Sequence, residues 1–258
     1  MDMFKGFQVV SLPAFFDGYQ LQGQALKIVQ QDSVERALEG FIGPDQVIYA
    51  EALGKEWFPV IEADVFISHS HTDEVQALNL AAWLKSEFGL KAFVDSLVWK
   101  SADKLLKAID DKYCLNDDKK YYNYSLRNLS TSHVHVMLAM GIAKMMDRSE
   151  AVFFLNTPNS MTAESTTKKG ETSSPWIFAE MALTHLLRRS PRIRDGMALE
   201  SAEVKAMDSA TVPVVHGLDL SKLSVLDQDG LALWRSEWRE EGHPLDVLYR
   251  MNLPHRSL

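Results

Sequence analysis

One acid, Glu180, stands alone in the apolar run Trp176–Leu187, WIFAEMALTHLL. A helix of that composition is mostly buried, and burying an ionised carboxylate without a partner costs several kcal/mol. The residues at i−4 and i+4 are Trp176 and Thr184, so neither neighbouring turn offers a Lys or Arg for a surface ion pair. Glu180 therefore either finds hydrogen-bond donors in the interior or faces a pocket where an acid is useful. Glycosyl chemistry is one such use, because a carboxylate stabilises the positive charge that develops on a sugar ring.

A second polar group, Ser68-His69-Ser70-His71, follows a short apolar run, and Asp73 lies just beyond it. Histidines alternating after a strand can ligate a metal, but no second ligand cluster accompanies them, so no metal site is expected. His133 and His135 open an apolar helix and read as packing. Cys114, the only cysteine, has no cationic motif beside it and reads as an unreactive thiol.

These residues need elements to hold them. Asp64–Ser68 (DVFIS) reads as a buried parallel strand, Glu74–Phe88 as an amphipathic helix closed by Gly89, and Lys91–Asp95 (KAFVD) as a second strand. Ser101–Cys114 reads as a helix capped by Ser101. A polar, tyrosine-rich insert near 115–132 follows, then a Met-rich helix capped by Ser132 and running to about Asp147. Ala151–Leu155 (AVFFL) is a third strand. Ser174-Pro175 opens the Glu180 helix, Thr211–His216 (TVPVVH) is a fourth strand, and Leu231–Glu240 is a last helix with Trp234 and Trp238 on one face. Alternating strands and helices imply a parallel sheet covered on both sides. Residues 1–62 hold a helix from about Gln24 to Phe41 and a short strand near Gln46–Tyr49 and read as an extension packed on the main domain of 63–258.

Parallel open sheets bind ligands beyond the carboxyl ends of their strands, where the strand order reverses. In the order 2-1-3-4-5 that point lies between the first and third strands, which places Ser68, Ser70, Trp176 and Glu180 around one crevice. The formal charge of −8 argues against nucleic acid as a partner. The stretch most like a membrane span, Val134–Met146, contains Lys144 and falls short of the roughly 20 residues a bilayer requires. With no secretory pattern at the N-terminus and no cysteine pair, a cytoplasmic location and no membrane contact are expected.

ADVFISHSHTDE (Ala63–Glu74), AAWLKSEFGLKAFVDS (Ala81–Ser96) and SPWIFAEMA (Ser174–Ala182), in that order, resemble a bacterial Toll/interleukin-1 receptor (TIR) domain of the NAD-cleaving type. The resemblance covers roughly Ala63 to Leu220 and implies a flavodoxin-like α/β fold with helices on both faces of a five-stranded parallel sheet. It implies cleavage of the nicotinamide–ribose bond of NAD, with NAD as substrate and no resident cofactor. It casts Glu180 as the catalytic carboxylate, Trp176 as a pocket wall, and Ser68, His69, Ser70 and His71 as the loop lining the nucleotide site. Asp95, Leu97 and Trp99 then belong to the BB loop, which closes on substrate and on a neighbouring subunit. Homo-oligomerisation through TIR–TIR contacts, and a separate effector protein that senses the product in anti-phage defence, are further implications. The segment DSLVWKSAD lacks the Arg-Asp and Pro-Gly signature of receptor signalling. Two other classes share the architecture: a non-catalytic scaffold that assembles through the BB loop, and a nucleoside deoxyribosyltransferase-like enzyme, for which no nucleoside signature is found.

Overall fold

Runs of β-branched and aromatic residues form the central strands Val65–Ser68 and Ala151–Leu155, both buried throughout, so no apolar–polar alternation is needed there. The computed structural model describes residues 5–10, 14–32, 48–94, 96–161, 171–186 and 216–254, with no side-chain account of 5, 14–15, 27–32 and 96–101. In chain order these contain β1 (Lys5–Val9), a 3-10 turn (Ala14–Tyr19), α1 (Gln20–Asp32), α2 (Ala50–Trp57), β2 (Val65–Ser68), a 3-10 turn (His71–Asp73), α3 (Glu74–Phe88), β3 (Ala92–Val94), α4 (Ser96–Tyr113) and α5 (Tyr124–Arg148). There follow β4 (Ala151–Leu155), β5 (Glu171–Thr172), α6 (Pro175–Leu186), β6 (His216–Gly217), β7 (Leu223–Leu226), α7 (Gln228–Glu237) and α8 (Pro244–Arg250).

The expected α/β class is observed: a five-stranded sheet, parallel at every pairing, with helices on both faces. Its strand order is β3-β2-β4-β1-β7, which corrects the expected 2-1-3-4-5. The first three expected strands do lie second-first-third, but the next place belongs to the N-terminal strand β1. Lys5–Val9 is thus not part of an appended extension. It pairs with β4 from Lys5↔Ala151 to Val9↔Leu155 and with β7 from Gly6↔Leu223 to Val9↔Leu226. Phe7 and Val9 are buried in the core, while Gly6 admits the Leu223 side chain; a Cβ there would lie 2.2 Å from Leu223 Cδ2. Of the strand expected at Thr211–His216, residues 211–215 lie outside the described residues. His216 pairs antiparallel with Thr172 in a separate ribbon, β5–β6.

Successive residues of a strand face opposite ways, and β4 shows both cores. Val152 and Phe154 meet Leu53 of α2, Leu105 of α4, Leu138 of α5 and Met181 of α6. Ala151, Phe153 and Leu155 meet Trp83 of α3, Trp234 of α7 and Leu248 of α8. Trp234 stacks on Phe88 with ring centroids 4.0 Å apart and meets Trp83 edge-on at 5.9 Å.

Several boundaries move for local reasons. α5 begins at Tyr124, eight positions before the expected cap, because the Asn123 side chain accepts a hydrogen bond from Leu126 N at 3.2 Å. Ser132 lies inside that helix and bonds back to Asn128 O at 2.9 Å. Part of the expected polar insert is therefore helical. The rest is a turn closed by the Leu115↔Tyr122 bridge, with the Tyr122 hydroxyl donating to Asp111. α4 begins at Ser96 rather than Ser101, so Leu97 and Trp99 sit on helical backbone instead of a loop. α6 starts as expected, with Ser174 Oγ accepting from Ile177 N at 3.3 Å. No described helix is long and apolar enough to cross a membrane.

Glu87 of α3 fastens two outer elements, accepting from Arg235 Nε of α7 at 2.5 Å and from Tyr19 Oη at 2.8 Å. These donors, Arg235 first, hold its carboxyl below the usual glutamate range. Because the folded value is depressed, this contribution to stability is complete above the unfolded value of about 4.3 and is lost as pH falls through the folded one. Glu87→Gln is expected to flatten the acid limb of stability against pH in urea titrations. Phe7→Ala is expected to cost about 3–5 kcal/mol in the same assay, the penalty of emptying a packed core position rather than trimming an extension.

Candidate functional site

Ser68 ends β2, and its parity with Phe66 turns it toward the core that α6 covers. Glu180 lies one turn after Trp176 on α6, beside the buried Ile177 and Met181. The two side chains meet across 112 positions of sequence: Ser68 Oγ donates to Glu180 Oε2 at 2.6 Å. That is the length typical of a hydroxyl–carboxylate bond. Both residues have no solvent exposure (0%). The acid singled out by its apolar setting is thus fully buried and bonded at the carboxyl end of a parallel strand. The chain leaves β2 toward β3 on one side and leaves β4 toward β7 on the other, so this is where the strand connections diverge.

The sheet adds a residue that sequence reasoning missed. Ser68 lies opposite Phe154 of β4, and Phe154 lies opposite Gln8 of β1, so the three form one row across the sheet. Gln8 is fully buried, and its Oε1 accepts from Asn156 Nδ2 at 3.2 Å. Gln8 Nε2 makes no hydrogen bond among the described residues. Asn156 is held in turn by its own backbone N–H on Val9 O at 3.0 Å. The available signal was one polar residue between Phe7 and Val9, legible only once Lys5–Val9 is read as a strand.

Asp73, noted in the sequence beside the two histidines, takes a different part. It is buried, and its carboxylate accepts from Thr157 Oγ1 at 2.5 Å and Asn159 Nδ2 at 2.7 Å. It therefore ties the loop after β2 to the loop after β4, the two loops that rim the strand ends.

His69 is buried, with Nδ1 3.4 Å from Ile67 O. Ser70 Oγ faces Thr72 Oγ1 at 3.0 Å, and His71 is exposed at the start of its 3-10 turn. Trp176 is half-buried and meets the His135 ring edge-on, centroids 5.5 Å apart. Burial pushes the His135 imidazole below its ordinary value, opposed by the Asp103 carboxylate. Asp95 lies outside the described residues, as do the side chains of Leu97 and Trp99. Cys114 is buried, and that burial raises its thiol above the ordinary range.

Chemically, the site pairs a fully buried carboxylate with a hydroxyl donor, and the Gln8 side chain lies in the same row of the sheet. Removing the Ser68 hydroxyl leaves a buried carboxylate oxygen short of a donor. Ser68→Ala is therefore expected to lower stability by about 1–3 kcal/mol in chemical denaturation. No protein-family model, curated protein or solved structure matches the chain.

Proposed function

We propose that the protein cleaves the nicotinamide–ribose bond of NAD, with Glu180 as the catalytic carboxylate. The observation that carries this reading is the 2.6 Å bond from Ser68 Oγ to Glu180 Oε2 at the carboxyl edge of the sheet. It puts the one acid of an apolar helix where open α/β sheets receive ligands. The resemblance of the three sequence blocks to TIR domains supports the same chemistry.

In this reading Glu180 accepts hydrogen bonds from the nicotinamide-side ribose, and its charge stabilises the oxocarbenium-like state as the base departs. Nicotinamide leaves as a neutral molecule from a cationic ring, so no acid is needed to protonate it. A preorganised charge in a water-excluded site supplies several kcal/mol of barrier lowering. Ser68 orients the carboxylate, and Trp176 walls the pocket with His135 behind it. Attack by water gives ADP-ribose; attack by a nucleophile within the same dinucleotide gives a cyclic isomer. A cytoplasmic defence role, with self-association through the α4 N-terminal segment and a separate product-sensing effector, completes the proposal.

A second reading is a scaffold in which Ser68–Glu180 only clasps α6 to β2. The full burial of both residues favours it. The two separate in one assay, nicotinamide release from NAD by concentrated protein. The first expects turnover that Glu180→Gln reduces at least about a hundredfold while the variant stays folded by circular dichroism. Undiminished turnover in Glu180→Gln removes this residue from the chemistry. Self-association with no turnover favours the scaffold.

A further inference from the structure

At the amino edge of the sheet, away from Glu180, three side chains of metal-ligating type converge. Glu150 immediately precedes β4 and is 3% exposed. His243 sits just before α8, and Asp246 lies in its first turn. One ligand atom from each residue, an imidazole nitrogen and two carboxylate oxygens, lies within 4.8 Å of the other two. Among the described residues this is the group with that property; His69, His71 and Asp73 do not form one.

The backbone on both sides is fixed before any ion arrives. Glu150 N donates to Asp64 O at 2.8 Å, and Tyr249 Oη donates to Glu150 O at 3.1 Å, joining α8 to the start of β4. Trp234 Nε1 donates to Pro244 O at 2.9 Å, which seats the first turn of α8 on the core. His243 Nδ1 is buried and makes no hydrogen bond among the described residues. A polar atom in that state costs free energy, and coordination of the ring would recover it. Metal bonds of about 2.0–2.2 Å put tetrahedral ligand atoms roughly 3.4 Å apart, so side-chain movement of about an ångström brings the three onto one ion, with water as the fourth ligand.

We propose that Glu150, His243 and Asp246 form a site for a divalent transition metal of the zinc type. Two carboxylates with one imidazole suit zinc or manganese, whereas magnesium and calcium prefer all-oxygen shells. The ion joins the C-terminal helix to the sheet. β4 puts five residues, roughly 16 Å of extended chain, between Glu150 and Asn156, so the ion stabilises the fold and takes no part at Glu180. The inference is independent of the proposed NAD chemistry.

The test uses the full chain, stripped with EDTA and titrated with zinc chloride by calorimetry and thermal melting. Wild type is expected to bind one equivalent with a dissociation constant of micromolar or below, and to melt at higher temperature when loaded. His243→Ala and Asp246→Asn, both at partly exposed positions, are expected to weaken binding at least tenfold and to lose the thermal shift. Absence of saturable one-to-one binding in wild type overturns the proposal. So does equal binding by wild type and both variants, which assigns the ion to other groups.

Discussion

Every side chain of β4 is sealed from solvent, with Val152 and Phe154 on one side of the sheet and Ala151, Phe153 and Leu155 on the other. A strand apolar on both faces exposes too much hydrocarbon to be stable alone, so it demands a covering layer on each side and a hydrogen-bonded strand along each edge. β2 supplies one edge and β1 the other. The helices follow from the same demand: α2, α4, α5 and α6 close one face, and α3, α7 and α8 close the other. Both candidate sites hang on this strand, Asn156 just after its last residue and Glu150 just before its first.

Three buried polar groups of this interior are bonded to side chains from distant segments. Ser68 meets Glu180, Gln8 meets Asn156, and Asp73 meets Thr157 and Asn159. All of these stand at the carboxyl end of the strands, where backbone connections leave the sheet and side chains of distant segments can be brought together. Outside that edge the same face is filled by Leu, Phe, Ile and Met, which supply cohesion and no chemistry.

Much of this was legible along the chain. AVFFL could only be a buried strand, DVFIS and KAFV its neighbours, and Ser174-Pro175 the opening of a helix. Glu180 was conspicuous because its local surroundings were all apolar. What escaped was long-range or sat on competing local signals. KGFQV is too short and mixed to announce a strand by itself; its place is set by two partners far along the chain, Ala151–Leu155 and Leu223–Leu226. Asn123 outcompeted Ser132 as a cap because its side chain reaches a free backbone donor, whereas Ser132 lies within a helix already begun. Gln8 had no meaning as a site residue until β1 was placed beside β4.

Residue type and spacing alone determined the α/β class, the middle strands, and the improbability of an isolated acid at Glu180, because burial of apolar surface and the cost of an unpaired carboxylate act locally. Only the tertiary structure decided which strands are neighbours, that Ser68 is the donor to Glu180, and that Glu150 meets His243 and Asp246. Those outcomes depend on contacts between segments a hundred or so residues apart, whose free energy appears only when both faces of the sheet are covered together.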